Sequence, residues 1–290
     1  MNILLCGASG FIGRHVQAVL ADGGHQVRAA SRRSLPPIDF ARATQARDWL
    51  PHLHGIDAVV NAVGVLRDSS RQPMAALHDA APRALFDACA QAGVRRVMQV
   101  SALGIEGNPT LYARSKQAAD AHLLALTQAG RLDGVVLRPS IVFGPGGQSS
   151  RLFVTLARLP WLALPRPVRH ARVQPLAVRE LATVVARLLA DPPRQGTLEL
   201  GGPRALTLGE FIASLRRQLG HGPARVLDLP DALTQLSARI GDWVPLAPWC
   251  SETLALLAQD NVARPDLLHE LLGRAPTPPE HLMDATWNAV

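Results

Sequence analysis

Apolar and polar positions along this chain follow two periods that take turns. Residues 3–6 form an unbroken apolar run, and after three glycines the apolar positions Val16, Val19 and Leu20 recur three and four apart. The run predicts a buried strand and the spacing predicts a helix. A second strand is expected over 25–31, and a short third one ending at Asp39-Phe40. The apolar stretch 55–66 predicts a fourth strand, and 96–101 a fifth. Between them a helix over 77–92 carries Ala81, Leu85, Ala88 and Cys89 on one face, with Gly93 closing it. A sixth buried strand opens at Gly134 and runs into a glycine- and proline-rich loop, where the chain is expected to leave its main sheet. Beyond it the pattern predicts a helix over 149–157, a proline-broken apolar segment over 159–169, a helix over 178–189 and a last main-sheet strand over 197–200. Thr207 and Glu210 have capping-box spacing for a helix reaching 219, and 224–229 predicts a short strand. Residues 230–272 read as short helices cut by Pro245, Pro248 and Pro265, and 274–290 is weakly patterned. Strands and helices alternating in this way make an α/β chain with a parallel sheet buried on both faces.

The three glycines change the picture from architecture to chemistry. Gly7, Gly10 and Gly13 stand between the first strand and the first helix, the context in which such a triplet binds a dinucleotide. Gly7 allows the tight turn, Gly10 lets a pyrophosphate approach the main chain, and Gly13 lets helix and strand pack closely. The helix N-terminus then offers its N–H groups and dipole to the phosphates.

Later strand ends carry further candidates. The second strand runs into Ser31-Arg32-Arg33 without an acidic residue. An acid there would hold ribose hydroxyls and select NAD, whereas hydroxyl and guanidinium suit the 2′-phosphate of NADP. NADP(H) is therefore favoured, with NAD(H) left open. Asp39 could accept from an adenine amino group with Phe40 beside the ring, or simply cap a turn. The fourth strand ends in Asn61-Ala62-Val63-Gly64, small enough for a cofactor to lie across the sheet.

Tyr112 and Lys116 are the sole tyrosine and the sole lysine, the latter in a chain with 30 basic residues. They stand four apart, one helical turn, so they share a helix face. Arginine serves everywhere else for charge. It could not supply a compact ammonium that reaches a ribose hydroxyl and lowers a phenol's pKa. Ser101, at the end of the fifth strand, would hold a substrate oxygen while Tyr112 gives or takes the proton.

Composition narrows the remaining classes. The chain of 290 residues is 48% hydrophobic, enough for a sizeable core. No window reaches the roughly 18 apolar residues of a membrane span, and the N-terminus lacks the pattern of a secretory leader. The 3 cysteines, Cys6, Cys89 and Cys250, are too scattered for a disulfide or metal pattern and suit buried, reduced thiols in a cytoplasmic protein. The 10 histidines show no metal-ligand spacing, and His52 and His54 read as solvated loop residues. A net charge of +7 and a pI near 10.7 invite an anionic partner. The arginines are dispersed and aromatics are few, which argues against nucleic acid and leaves loose attraction to an anionic membrane surface.

With these residues in hand, the chain resembles extended or atypical short-chain dehydrogenase/reductases. The match is carried by Gly7-Ala-Ser-Gly10-Phe-Ile-Gly13, Ser101, Tyr112 with Lys116, and Arg138-Pro139 followed by Phe143-Gly144-Pro145. Asn61-Ala-Val-Gly-Val-Leu, Val100-Ser-Ala-Leu-Gly104, Leu137-Arg-Pro-Ser-Ile-Val-Phe-Gly-Pro145 and Val173-Gln-Pro175 are similar to one branch, that of the NADPH-binding accessory subunit of respiratory complex I. Bacterial members of it are usually described as NAD-dependent epimerase/dehydratase-like, and some relatives are linked to quinone metabolism. The resemblance covers about residues 1–220.

It implies a Rossmann-like doubly wound parallel sheet with a small C-terminal α+β substrate lobe. Residues 1–145, completed by 173–200, would bind NAD(P), and 146–172 with 201–290 would meet substrate or partner. It implies a cofactor held by Gly7, Ser9, Gly10, Phe11, Ile12, Gly13, Ser31, Arg32, Asp39, Asn61, Ala62, Val63, Gly64, Tyr112, Lys116, Pro139 and Ile141, with Ser101, Tyr112 and Lys116 catalytic and no metal. The 11 positions from Ser101 to Tyr112 are fewer than sugar-nucleotide epimerases usually have. The expected activity is hydride transfer to or from a carbonyl or alcohol of a small, apolar substrate. The alternative is an accessory, assembly or redox-sensing protein that only binds the cofactor, at a membrane or respiratory complex. The expected location is the cytoplasm or the inner-membrane surface.

Overall fold

Residues 1–243, 249–264 and 266–287 are described by the computed structural model of the chain. In chain order the first elements are β1 (Asn2–Cys6), α1 (Phe11–Asp22), β2 (Gln26–Ala30), α2 (Ala46–Trp49), β3 (Ala58–Asn61), α3 (Ala81–Ala92), β4 (Arg96–Val100), α4 (Leu111–Gln128) and β5 (Asp133–Pro139). Then come β6 (Val142–Phe143), α5 (Gln148–Arg158), β7 (Trp161–Pro165), α6 (Arg166–His170), β8 (Arg172–Val173), β9 (Leu176–Ala177), α7 (Val178–Ala190) and β10 (Gly196–Leu200). The chain closes with β11 (Leu206–Thr207), α8 (Leu208–Gln218), β12 (Arg225–Leu229), α9 (Asp231–Asp242), α10 (Ser251–Leu257), α11 (Leu267–Leu272) and α12 (Leu282–Trp287). Two compact units result, Met1–Pro139 with Leu181–Glu199, and Ser140–Glu180 with Leu200–Val290. Residues 140–145, 173–180 and Leu200 fall in the second unit.

In the first unit six strands form one sheet in the order β10-β5-β4-β3-β1-β2, with β1 to β5 paired in parallel. The order reverses between β1 and β3, and at such a switch point the loops leaving the carboxyl ends part to form a crevice. Ile3, Leu4, Leu5, Cys6, Val59, Val60, Val97 and Val136 are fully buried, which is why these strands read as continuous apolar runs rather than alternating ones. The thiols of Cys6, Cys89 and Cys250 are free and buried. No helix among the described residues is long and apolar enough to cross a membrane.

The second unit has short paired strands, β6 with β9, β7 with β12 and β8 with β11. Its core gathers Phe143, Phe153 and Phe211 edge to face, with centroids 5.6 Å apart in the Phe143–Phe211 and Phe153–Phe211 pairs. Thr207 and Glu210 close the expected capping box at the start of α8.

Three expectations are corrected. No third strand ends at Asp39-Phe40: Pro36 and Pro37 offer no N–H to the edge of β2, and the Asp39 carbonyl accepts from Arg42 and Ala43 N–H at 2.9 Å in a turn. The segment read as proline-broken over 159–169 holds a strand and a helical turn, because Pro160 and Pro165 stand outside and at the end of β7 rather than within its ladder. His52 is buried, 4% exposed, in a 3-10 turn against Trp49. The breakers Pro245, Pro248 and Pro265, and the last residues 288–290, lie outside the described residues.

Trp49 closes the core below the irregular segment. It is fully buried, donates Nε1–H to the Ala43 carbonyl at 2.9 Å and meets Phe40 edge to face at 5.0 Å. Trp49→Ala should cost about 3–5 kcal/mol through the cavity it leaves. Trp49→Phe should cost about 1–2 kcal/mol, mainly for the buried carbonyl left without a donor. Urea unfolding followed by far-ultraviolet circular dichroism checks both.

Candidate functional site

The glycine turn is built as its spacing implies. Gly7 has φ +82°, and a Cβ there would stand 2.9 Å from the Ala62 backbone, in the loop after β3. Gly10 donates its N–H to the Gly7 carbonyl at 2.9 Å and caps α1 without a side-chain cap, so the N–H groups of Phe11, Ile12 and Gly13 open the helix. A Cβ on Gly13 would run into the Gly7 carbonyl. Ser9 and Gly10 are exposed, and Phe11 and Ile12 half-buried, beside this helix end. Bare backbone with a free helix terminus fits a pyrophosphate.

At the end of β2, Ser31 Oγ accepts from Arg33 N–H at 3.1 Å, which leaves the hydroxyl proton to give, and Arg32 and Arg33 are exposed. Asp39 Oδ1 accepts from Ala41 N–H at 3.1 Å, the turn-forming role that its residue type also allowed. Asn61 is 1% exposed and spends its side chain on structure: Nδ2 donates to Gln99 Oε1 at 2.7 Å, and Oδ1 accepts from Val63 N–H at 3.2 Å. These bonds bend residues 61–64 toward Lys116, whose Nζ would lie 3.5 Å from a Cβ on Gly64. Pro139 is buried at the end of β5 in the first unit, its carbonyl accepting from Leu103 N–H at 3.0 Å. Ile141 belongs to the second unit, where its carbonyl accepts from Leu176 N–H at 3.0 Å.

The helix α4 sets the polar centre. Thr110 caps it by accepting from Ala113 N–H at 3.2 Å, and this start places Tyr112, Lys116 and Asp120 four apart on one face. Lys116 is 3% exposed and donates Nζ–H to the carbonyls of Val63 and Val100, each at 3.1 Å. Burial lowers its pKa to about 8 against the opposing pull of Asp120. Tyr112 is half-buried, and burial with the charge of Asp120 pushes its phenol up to about 12. The net lowering of the phenol that was expected is not seen, because burial and the charge of Asp120 raise it. The ammonium is spent on two carbonyls, while desolvation and a carboxylate act on the ring. Ser101, 6% exposed, donates Oγ–H to Asp120 Oδ2 at 2.8 Å.

Two residues of this centre were not singled out in the sequence. Asp120 carried a usable signal, one helical turn past Lys116. His78 carried a weaker one, a polar side chain three and seven positions before Ala81 and Leu85 on the apolar face of its helix. It sits in a single π-helical turn, Ala76–Ala80, and is fully buried. Its Nε2 accepts from Val65 N–H at 2.9 Å, so the neutral ring carries its proton on Nδ1 and gives it to Ser115 Oγ at 3.2 Å. Ser115 in turn donates to the Tyr112 carbonyl at 3.0 Å, and the two rings meet edge to face at 5.4 Å.

A family model matches residues 3–160, more than half of the sequence. The chain belongs to the NAD dependent epimerase/dehydratase family. Among curated relatives of this family member, ceramide reductase of Caulobacter vibrioides is 27% identical over 262 residues, 84% of this chain and 78% of that protein. UDP-glucose 4-epimerase of Vibrio cholerae is 25% identical over 194 residues, 57% of this chain and 58% of that protein. Among solved structures, MoeE5 in complex with UDP-glucuronic acid and NAD superposes with a TM-score of 0.71 over 97% of this chain and 96% of that one. Its 20% identity makes this a likeness of fold, the Rossmann-like parallel sheet flanked by helices.

Burial and the neighbouring Lys116 hold His78 well below its ordinary 6.5, at about 3. As pH falls from about 6.5 toward 3 the unfolded chain takes up a proton that the folded chain refuses, so stability is full above this window and is lost within it. His78→Gln should remove that part of the acid slope in thermal melts recorded from neutral to acidic pH.

Proposed function

We propose that this chain is an NADP(H)-dependent reductase that transfers hydride between nicotinamide and a carbonyl or alcohol on an apolar substrate, with Tyr112 as general acid/base. The observation that carries the reading is the pairing on α4. Tyr112 and Lys116 share one face, and the buried ammonium lies against Val63 and Gly64, in the same loop whose Ala62 touches the glycine turn. When bound, the dinucleotide supplies or accepts the hydride. Tyr112, held near 12, stays protonated at neutral pH and is a donor to a carbonyl oxygen, which favours the reductive direction. Lys116, at about 8, remains largely cationic there and supports charge that develops beside it. Ser101 would hold the substrate oxygen.

Several features support the finer parts. The open Ser31 hydroxyl, exposed Arg32 and lack of an acid at the end of β2 support NADP(H) over NAD(H). The family resemblance supports a place for Asp39 near the adenine. The likeness to a ceramide reductase supports an apolar substrate. The second unit, with its aromatic core, is proposed as the part that selects substrate or partner. Leu233, Leu236 and Ile240 line one exposed face of α9 with Trp243 just beyond, and together with the +7 charge they support peripheral association with an anionic membrane surface. Three free thiols support a reducing, cytoplasmic setting. A second reading, a protein that binds the cofactor without turnover, is favoured by the two carbonyl bonds that saturate much of Lys116.

Titrating NADPH and NADH into the purified protein and following nicotinamide fluorescence tests the cofactor. NADPH should bind more tightly, and Arg32→Glu should weaken NADPH about tenfold or more while leaving NADH nearly unchanged. With a long-chain ketone as substrate, Tyr112→Phe should lower kcat about 100-fold or more with cofactor affinity kept. Undiminished turnover by Tyr112→Phe would overturn the reductase reading, and a wild-type protein that binds NADPH without turnover on a ketone panel would establish the second one.

A further inference from the structure

Asp120 has no part in the residue set that the family resemblance brings with it, yet it lies at the centre of the polar groups described above. It is 1% exposed. One oxygen, Oδ2, takes the Ser101 hydroxyl proton at 2.8 Å and the Arg138 Nε–H at 3.1 Å. The other, Oδ1, is buried and has no hydrogen-bond partner. The charged groups around it come from two elements and a loop: Lys116 and Tyr112 on α4 itself, Arg138 on β5, and Glu106 in the loop after β4, which takes the far side of Arg138 at 2.5 Å. His78, neutral, stands on the other side of the Tyr112 ring.

A buried carboxylate is costly unless it is paired. One with an idle oxygen, aimed at a serine rather than forming a full two-pronged pair with the nearby arginine, is more than a structural ion pair requires. We propose that Asp120 is a positioning residue of this site, which takes the Ser101 proton, turns the lone pairs of that hydroxyl outward and sets the local charge in which Tyr112 and Lys116 work. The inference rests on the reading of Tyr112 as the group that protonates the substrate oxygen, and it narrows the part of Ser101 to holding that oxygen once it is a hydroxyl. With its own proton engaged, Ser101 Oγ acts as an acceptor. It would hold the hydroxyl of an alcohol product, or of Tyr112, rather than compete with Tyr112 to donate. Burial pushes the Asp120 carboxyl upward, while the Ser101 hydrogen bond and the charges of Arg138 and Lys116 draw it back toward the anion.

Asp120→Asn is nearly isosteric. Its amide oxygen can keep both bonds made by Oδ2 and its NH2 group takes the place of the idle oxygen, so it removes the charge and adds only the two amide protons there. Tyr112 is the sole tyrosine, so ultraviolet absorbance of the phenolate reads its ionisation directly, without turnover. The phenol should titrate about one pH unit lower in Asp120→Asn than in the wild type, and the pH profile of kcat should move in the same sense. In a double-mutant cycle with Ser101→Ala, Asp120→Ala should cost kcat about tenfold alone and clearly less when Ser101 is already gone, the remainder being its effect on Tyr112. Asp120→Glu keeps the anion on a longer arm. It should retain the wild-type phenol titration yet lose kcat, and it stands in should Asp120→Asn fail to fold. An unchanged phenol titration in Asp120→Asn, or losses that simply add in the cycle, would overturn the proposal. If the wild type reduces no carbonyl, the reductase reading falls, and the phenol titration by itself decides whether Asp120 acts on Tyr112.

Discussion

The first unit depends on one close approach of main chain to main chain. The turn after β1 passes against the loop after β3 at a distance that leaves no room for a Cβ on Gly7, and the first turn of α1 lies so near the Gly7 carbonyl that Gly13 cannot carry one either. That contact sits where the strand order reverses. It places a helix terminus with unpaired N–H groups beside the loop that carries Val63 and Gly64. The same loop supplies a carbonyl to Lys116. A glycine lost from the turn would therefore shift the phosphate cradle and the ammonium together, because both rest on one backbone contact.

Around that contact the chain buries a set of charges that an apolar core would not need. Lys116 and Asp120 are each almost inaccessible, and Arg138 is 7% exposed. Leaving any of them alone would strand a desolvated charge, a penalty larger than the net worth of the group as a whole. Mutual pairing explains how the set is tolerated, but it does not explain why the set is there. Leucine or methionine of similar volume would pack as well without the desolvation cost. The arrangement makes physical sense if the charges act on something, and the groups within their reach are a phenol and a serine hydroxyl.

Much of this was legible in the chain. The central strands were, because a strand buried on both faces is largely apolar, as residues 3–6, 58–60 and 97–98 are. The glycine turn was, because no other residue fits its contacts. Tyr112 and Lys116 were, through their isolation in the composition. The missing third strand was harder to see, although Pro36 and Pro37 already deny the edge of β2 its donors. β7 was hidden for the opposite reason: prolines that end a strand were read as breaking one. His78 and Asp120 were missed because their roles arise from partners 37 and 19 residues away, Ser115 and Ser101, which no local pattern connects. The raised phenol could not be read at all, since it comes from burial and from Asp120, which only the folded chain brings to the ring.

The lone lysine is the point at which composition, packing and chemistry meet. Elsewhere this chain uses arginine for positive charge, so the retention of lysine at position 116 has a local cause. Its ammonium fits as a single point between two carbonyl oxygens, with Gly64 directly beside it. A planar guanidinium with five donors in a fixed fork would find too few acceptors and too little room there. Shape alone could be met by a neutral donor, however. What lysine adds is a cation whose proton affinity responds to its surroundings, lowered by burial and supported by Asp120, whereas arginine stays charged whatever is around it. A site that only holds a dinucleotide would use this ammonium at a ribose hydroxyl; the proton-transferring site proposed above would also draw on its adjustable proton affinity.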